Sequence, residues 1–512
     1  MITARARMRS LLVAVATGAG LVGCTTSAAT HASGADATTR SPALAAELTR
    51  PSQETTVLDA PPGPGSAIAV SSLLFRRAPV VIEAAAGDAA SMATAAAIAP
   101  RLGAPVLPAA QQEQAAVGRE LKRLAPHAIL AVGAEAQRLV RSSRTAVPVY
   151  DVQPADSPTL PADLPTVRAP KHLAVTVLVD VTRDDAAATA TAHAVGATVV
   201  PVHGADPRAD AAAIEALHRT PPRVVVAVGG AFGPADRLRT RLAVAATGTQ
   251  LPGGGQTMLP GRRLVCLYGH PGTRALGVLG EQDLGASIDR ARQTAKAYEP
   301  LSDVPVVPGF EIIATVAEGG PGPDGDFSSE STVESLRPWV EQAGAAGLYV
   351  VLDLQPGRAD LTAQAQRYEP LLLMPHVGLA VDPEWKLGPD QVPLKQIGGI
   401  DAAEVNRTEA WLADLTAQHA LPQKLFVIHQ FRLSMIRDEP ALDTTHDELA
   451  VLIHMDGQGS TGQKDATWHS VVTARPTDLP LGWKNFYDED HPMLTPEQTM
   501  SRRPAPVMIT YQ

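Results

Sequence analysis

Between residues 57 and 247, short apolar runs alternate with Ala-rich stretches of helical length. The runs are VVIEAAA (80–86), HAILAVG (127–133), VTVLVD (175–180) and RVVVAVG (223–229). Their β-branched content and length mark them as buried strands, and the intervening segments carry helical spacing. Strands separated by helices imply βαβ crossovers and a parallel sheet. The pattern occurs twice, over 57–149 and 171–247, and Asp88 to Gly133 and Asp184 to Gly229 each span 45 positions. Asp88 and Asp184 stand where N-caps of the following helices are expected.

After the glycine- and proline-rich stretch 251–261 the alternation continues with a different composition. Strands are expected in LVCLYG, VVPGFEII, LYVVLDL, VGLAVD, a weak LKQIGGI, KLFVIHQF, LAVLIHM and GWKNFY, with helices near 283–298, 331–346, 359–373, 401–420 and 463–474. Seven or eight strands over about 250 residues predict a (β/α)8 barrel. The segment 386–400 fits least well, because no helix separates two candidate strands there, and a doubly wound sheet is the alternative. All five tryptophans lie in this half.

The start of the chain has another pattern. Arg5, Arg7 and Arg9 precede the apolar run Leu11–Gly23, which is too short to span a bilayer comfortably. The run ends in Leu21-Val22-Gly23-Cys24, which resembles the lipobox of bacterial lipoproteins. The resemblance implies cleavage before Cys24, acylation there, and an extracytoplasmic protein held at the membrane by its lipid. Residues 25–55, rich in Ala, Thr and Ser, are expected to be a flexible tether. Cys266, the other cysteine, is expected to be a small buried residue.

Within the two copies, Gly87-Asp88-Ala89, Gly103-Ala104-Pro105-Val106-Leu107 and Ala131-Val132-Gly133 are answered by Asp185-Ala186, Gly196-Ala197-Thr198-Val199-Val200 and Val228-Gly229-Gly230. This pattern resembles the second type of cell wall-binding repeat on Gram-positive surface proteins, which usually occurs in threes. The expected organisation is a signal peptide (1–24), the tether (25–55), two flavodoxin-like α/β repeat units (56–150 and 171–250), and a TIM-barrel-like catalytic domain (262–512). Gly229-Gly230-Ala231-Phe232-Gly233 follows a strand but lacks the Lys-Ser/Thr of a phosphate loop, so it reads as a tight turn.

A net charge of −10 argues against a nucleic-acid partner. Candidate chemistry gathers at the expected C-terminal strand ends: Glu311, Asp353, Asp382 and Glu384, His429 and Gln430, His454 and Asp456, and Lys484 and Asn485. Acids at strand ends commonly cap helices, but several directed into one mouth would raise each other's pKa. Asp382 and Glu384 share a face with Gly378 and Ala380, small residues that leave room beneath them.

The Asp-x-Glu of GLAVDPEW is similar to the fourth-strand end of chitinase-type barrels, where the Glu is the acid and the Asp assists. The longer signature is absent, since Val377 and Ala380 stand in its place. The expectation is a glycoside hydrolase acting on a cell-envelope or environmental polysaccharide. Glu384 is the general acid/base, Glu311 or Asp353 its partner and Asp382 the orienting group. Trp385, Trp483, His429, Gln430, Asp456, Lys484 and Asn485 are expected to bind substrate, and no cofactor or metal is called for. A metal site from His429, His454, Asp456, Asp382 and Glu311 is a rival that no local ligand spacing supports. The alternative function is a non-catalytic, glycan-binding surface lipoprotein.

Overall fold

The computed structural model describes residues 43–168, 172–476 and 479–512. The signal segment, Cys24 and the tether up to residue 42 lie outside the described residues.

The first copy forms a four-stranded parallel sheet. Its strands are β2 (Val80–Ala85), β3 (Val106–Ala109), β4 (Ala128–Val132) and β5 (Val149–Val152), in the order β3-β2-β4-β5. The second copy repeats this with β6 (Thr176–Asp180), β7 (Thr198–Val202) and β8 (Val225–Val228). Its fourth strand, however, comes from the other side of the first copy: β1 (Thr55–Leu58) pairs with β8 from Thr55↔Val225 to Leu58↔Val228. The chain therefore supplies the edge of its second sheet before it builds its first.

Residues 43–55, read from sequence as the end of the tether, are part of this folded unit. Leu44–Ala45 pairs with Val167–Arg168, and Glu47–Leu48 pairs with Phe75 and Arg77.

Helices α1 (Pro64–Leu74), α2 (Ala89–Leu102), α3 (Gln114–Leu124), α4 (Ala134–Ser142), α5 (Ala186–Ala194), α6 (Ala211–Arg219) and α7 (Ala235–Thr247) cover the two sheets. The Ala-rich faces of α1, α2 and α5 form a core common to both copies, with Ala95, Ala99, Ala188 and Ala192 fully buried. Small side chains allow these helices to approach closely. Thr191 Oγ1 ties the copies together by accepting from Val106 N at 2.9 Å. Asp88 caps α2 through Ala90 N. Asp184 does not cap α5; Asp185 holds that position and pairs with Arg183 at 2.8 Å.

The C-terminal half is a closed barrel of eight parallel strands in chain order. They are β9 (Arg263–Gly269), β10 (Val306–Ala317), β11 (Tyr349–Leu354), β12 (Val377–Val381), β13 (Lys424–His429), β14 (Leu449–Met455), β15 (Leu481–Asn485) and β16 (Met508–Tyr511). Outside them lie α8 (Leu284–Lys296), α9 (Val333–Ala345), α10 (Leu361–Gln366), α11 (Glu369–Leu372), α12 (Ala402–Gln418), α13 (Thr461–Ala474) and α14 (Pro496–Met500). The weak strand expected in LKQIGGI is not part of the barrel. Only Ile400–Asp401 is extended, and it pairs with Ile436–Arg437. Met508–Tyr511 is the eighth strand instead.

Period-two alternation divides the barrel into two apolar layers. Leu264, Cys266, Val307, Tyr349, Val351, Ala380, Leu425, Val427, Leu452 and Met508 fill the interior, each worth roughly 1.5–3 kcal/mol where a large aliphatic side chain is fully buried. Phe310, Ile312, Val350, Leu352, Ile428 and Trp483 face the helices. Gly309 and Gly378 make room for Tyr349 in the interior. A Cβ on Gly378 would lie 2.9 Å from the Tyr349 hydroxyl, and one on Gly309 would lie 2.7 Å from the Tyr349 carbonyl oxygen.

The stretch 251–262 closes the N-terminal end of the barrel. Leu251 and Met258 join the interior cluster, and buried Arg262 donates to the carbonyls of Pro252, Gly254 and Thr257. Beside this plug the second copy is pinned to the barrel. Arg208 and Arg241 reach Asp447 at 2.9 and 2.5 Å, with Asp206 closing the network.

Candidate active site at the barrel mouth

The opposite end of the barrel carries the polar side chains. Continuing the interior faces upward, Tyr268 on β9, Glu311 on β10, Asp353 on β11, Asp382 after β12, His429 on β13, His454 on β14, Asp456 after it and Lys484 on β15 lie above the apolar layers. These residues are almost completely shielded, with Glu311, Asp353 and His429 at 0% exposure. Buried charge is costly unless it is paired, so the pairing pattern defines the site.

His429 is the hub. Its Nε2 lies 2.9 Å from Glu311 Oε1 and 4.0 Å from Asp353 Oδ1. Its Nδ1 faces Asp456 Oδ2 at 3.2 Å, outside hydrogen-bond alignment, so this is a charge contact rather than a directed bond. Burial works against the charged ring, but Glu311 and Asp456 outweigh it and hold the His429 pKa well above its ordinary value. In return, His429 overcomes the burial of Asp456 and holds that carboxyl below its usual range. His454, whose ring centroid is 5.0 Å from that of His429, is pushed the other way by burial and by the neighbouring imidazolium. One histidine is kept charged and the other neutral.

The remaining carboxyls are kept protonated more easily than normal. Burial, then the nearby Glu311 charge, raises Asp353 to about 6, although His429 and the Tyr268 hydroxyl, which donates to Asp353 at 2.8 Å, oppose the shift. Asp382 rises well above the carboxylate range through burial and then Glu384 and Asp353, and its Oδ1 has no partner. Glu384, in a single turn at Pro383–Trp385, is only partly buried; burial followed by Asp456 raises it to about 7. It is the carboxyl of the set that solvent reaches. Lys484 Nζ sits 3.3 Å from the centroid of the Tyr268 ring.

The structure thus brings Glu311, Asp353, Asp382, Glu384, His429, Asp456 and Lys484 together, and adds Tyr268, which the sequence reading passed over. The signal for Tyr268 was the alternation of LVCLYG, which sets it on the face of Leu264 and Cys266. Trp385 is half-buried beside Glu384.

Three residues expected to bind substrate face elsewhere. Trp483 and Asn485 flank inward Lys484, so alternation turns both outward. Trp483 packs on Trp468 at 5.4 Å and donates to Asn485 at 2.8 Å. Gln430, one residue beyond His429, donates to Glu439. The space expected beneath Asp382 at Gly378 is occupied by Tyr349 and the Leu425 backbone.

Of the rival metal site, Glu311 and Asp456 are engaged with His429, and an imidazolium offers no lone pair to a cation. Among the described residues, the set of three ligand-type side chains whose donor atoms all lie within 4.8 Å is Asp324, Asp326 and Glu330, in and beside the loop after β10.

No protein-family model matches this chain, and no curated protein matches it at a significant level. Among solved structures, Cwp6 from Clostridium difficile is similar at a TM-score of 0.31 and 11% identity, over 60% of this chain and 66% of that one.

Proposed function

We propose that the barrel mouth is the active site of a hydrolase that cleaves glycosidic bonds, and that the chain is an envelope lipoprotein anchored through Cys24. The observation that carries this reading is the convergence of five carboxyls on one end of the barrel, with the accessible one, Glu384, raised to about 7. A general acid needs a proton at neutral pH and a base must be able to take one, and a pKa near 7 serves both. Glu384 protonates the leaving oxygen. Asp353, raised to about 6, is the second carboxyl. Asp382, held protonated, donates to substrate, and His429 stabilises negative charge on Glu311 and Asp456. The second repeat unit docks at the plugged end, opposite the mouth, which suits a module that positions the barrel in the wall.

The shielding of Glu311, Asp353 and His429 favours a second reading, in which the network is structural and the domain only binds glycan. One experiment separates the two. The chain is incubated with actinobacterial-type wall polysaccharides and released reducing ends are measured. Hydrolysis that falls at least about 100-fold in Glu384→Gln supports the enzyme, a loss in keeping with general acid–base contributions. Equal release by the variant removes Glu384 from the mechanism. Retention of glycan without products supports binding.

A further inference from the structure

The first repeat unit contains a cavity of about 430 Å³ between α3, the end of α4 and one face of the sheet, within the size range of small-molecule sites. Its walls are apolar: Pro108, Val117, Leu121, Ile129, Leu139 and Val140. At its floor is Glu83, in the middle of β2, 6% exposed and, among the described residues, without a hydrogen bond or ion pair. A lone carboxyl facing an apolar hollow is expensive, and nothing in the fold requires it there.

The second copy provides an internal comparison. Glu83 pairs in register with Ala131, two residues before Gly133, and Leu178 pairs with Ala227, two residues before Gly229. Leu178 therefore stands at the position of Glu83. It is fully buried against Ile214, Leu217, Phe232, Leu238 and Leu242, so this copy is packed solid where the first is hollow. Phe232, three residues after its glycine, corresponds to Ala136 in the first copy. The same scaffold thus exists in a filled version and in a hollowed version with an acid at the bottom.

We propose that the first repeat unit binds a small organic cation, a primary amine on an apolar body, with the amine seated on Glu83. The apolar walls take the hydrocarbon, and the ammonium supplies the counter-charge and hydrogen-bond donors that Glu83 lacks. Burial alone raises the empty carboxyl to about 7, so an arriving ammonium displaces a proton near neutral pH. The other charged groups lining the cavity are Lys122 on α3 and Arg144 after α4, both exposed at the rim; the lining residues of β3 and β4 are uncharged.

Isothermal titration of the full chain with hexylammonium, hexanol and hexanoate tests this. Hexylammonium is expected to bind most tightly, with affinity rising up to about tenfold per pH unit between pH 5 and 7 and levelling above, and with proton release in buffers of different ionisation enthalpy. Glu83→Gln, which preserves shape, is expected to weaken the amine at least about tenfold at pH 8 and to leave hexanol unchanged. Glu83→Leu, the residue of the second copy, abolishes binding of all three. Binding of hexanol or hexanoate as tight as that of the amine, or an amine affinity flat from pH 5 to 8, overturns the proposal on the unmodified chain. Undiminished amine binding by Glu83→Gln does the same.

Discussion

Replacing Glu384 by Gln should make the protein more stable at neutral pH while removing its activity. Folding carries the Glu384 carboxyl from its ordinary 4.5 to about 7, chiefly through burial. The native state therefore binds the proton more tightly than the unfolded chain does. Below pH 4.5 both states are largely protonated and the residue costs little. Between about 4.5 and 7 the unfolded chain ionises while the folded one does not, so stability falls as pH rises; above 7 the penalty is constant. At about 1.4 kcal/mol per tenfold change in proton affinity, the full penalty is about 3 kcal/mol. A neutral amide of the same shape escapes it. Urea unfolding followed by tryptophan fluorescence at pH 4.5 and pH 8 measures both ends. The variant should match wild type within about 1 kcal/mol at pH 4.5 and exceed it by about 2–3 kcal/mol at pH 8. A variant less stable at both pH values, or an offset independent of pH, would refute the reasoning, because Glu384 would then be engaged in a bond that the charged form favours. Gain of stability with loss of turnover is the expected signature of a group held in an unfavourable state for function.

Other outcomes follow from the same accounting. Glu409 on α12 is fully buried, both its oxygens lack partners, and burial raises it to about 8; Glu409→Leu should raise the melting temperature at pH 7.5 in calorimetry. His429→Gln removes the cation between Glu311 and Asp456 and should cost about 3–5 kcal/mol at pH 6 by urea unfolding. That cost should shrink toward pH 3, because the Asp456 contribution, from a depressed carboxyl, is lost as pH falls through its folded pKa. Asp447→Ala leaves Arg208 and Arg241 with Asp206 but cuts their link to the barrel, and limited proteolysis should then cut within 248–262 sooner than in wild type. Cys24→Ala should abolish palmitate labelling and release the protein from the membrane fraction.

What the sequence revealed depended on how local the signal was. Barrel strands were legible because their interior and exterior faces are both apolar, giving continuous runs such as YVVLDL and KLFVIH. Met508–Tyr511 was missed because four residues make no run of that kind, and its place follows only from ring closure. LKQIGGI carried three apolar residues, but only its last, Ile400, is extended, and it pairs with Ile436 outside the barrel. The acids of the mouth were readable as strand-end residues, whereas their pairing was not, since His429 and Glu311 are 118 residues apart. Trp483 and Asn485 stand at a strand end beside Lys484, but alternation about Lys484 turns both outward toward α13 and α14. Glu83 reads in sequence as one polar residue in VVIEAAA, and its counterpart Leu178 emerges only from the strand register, because the 96-residue offset of the copies sets Val179 against it.

The route of β1 has a consequence for how this chain reaches its native state. As synthesis proceeds from the amino end, Thr55–Leu58 has no strand to pair with until residues 225–228 exist. The first copy can assemble its own four strands meanwhile, but the second has an open edge unless that early segment has been kept free. Such a distant pairing is closed slowly. Any fragment that begins at the apparent start of the second copy will expose the outer side of β8 as an invitation to a neighbouring molecule.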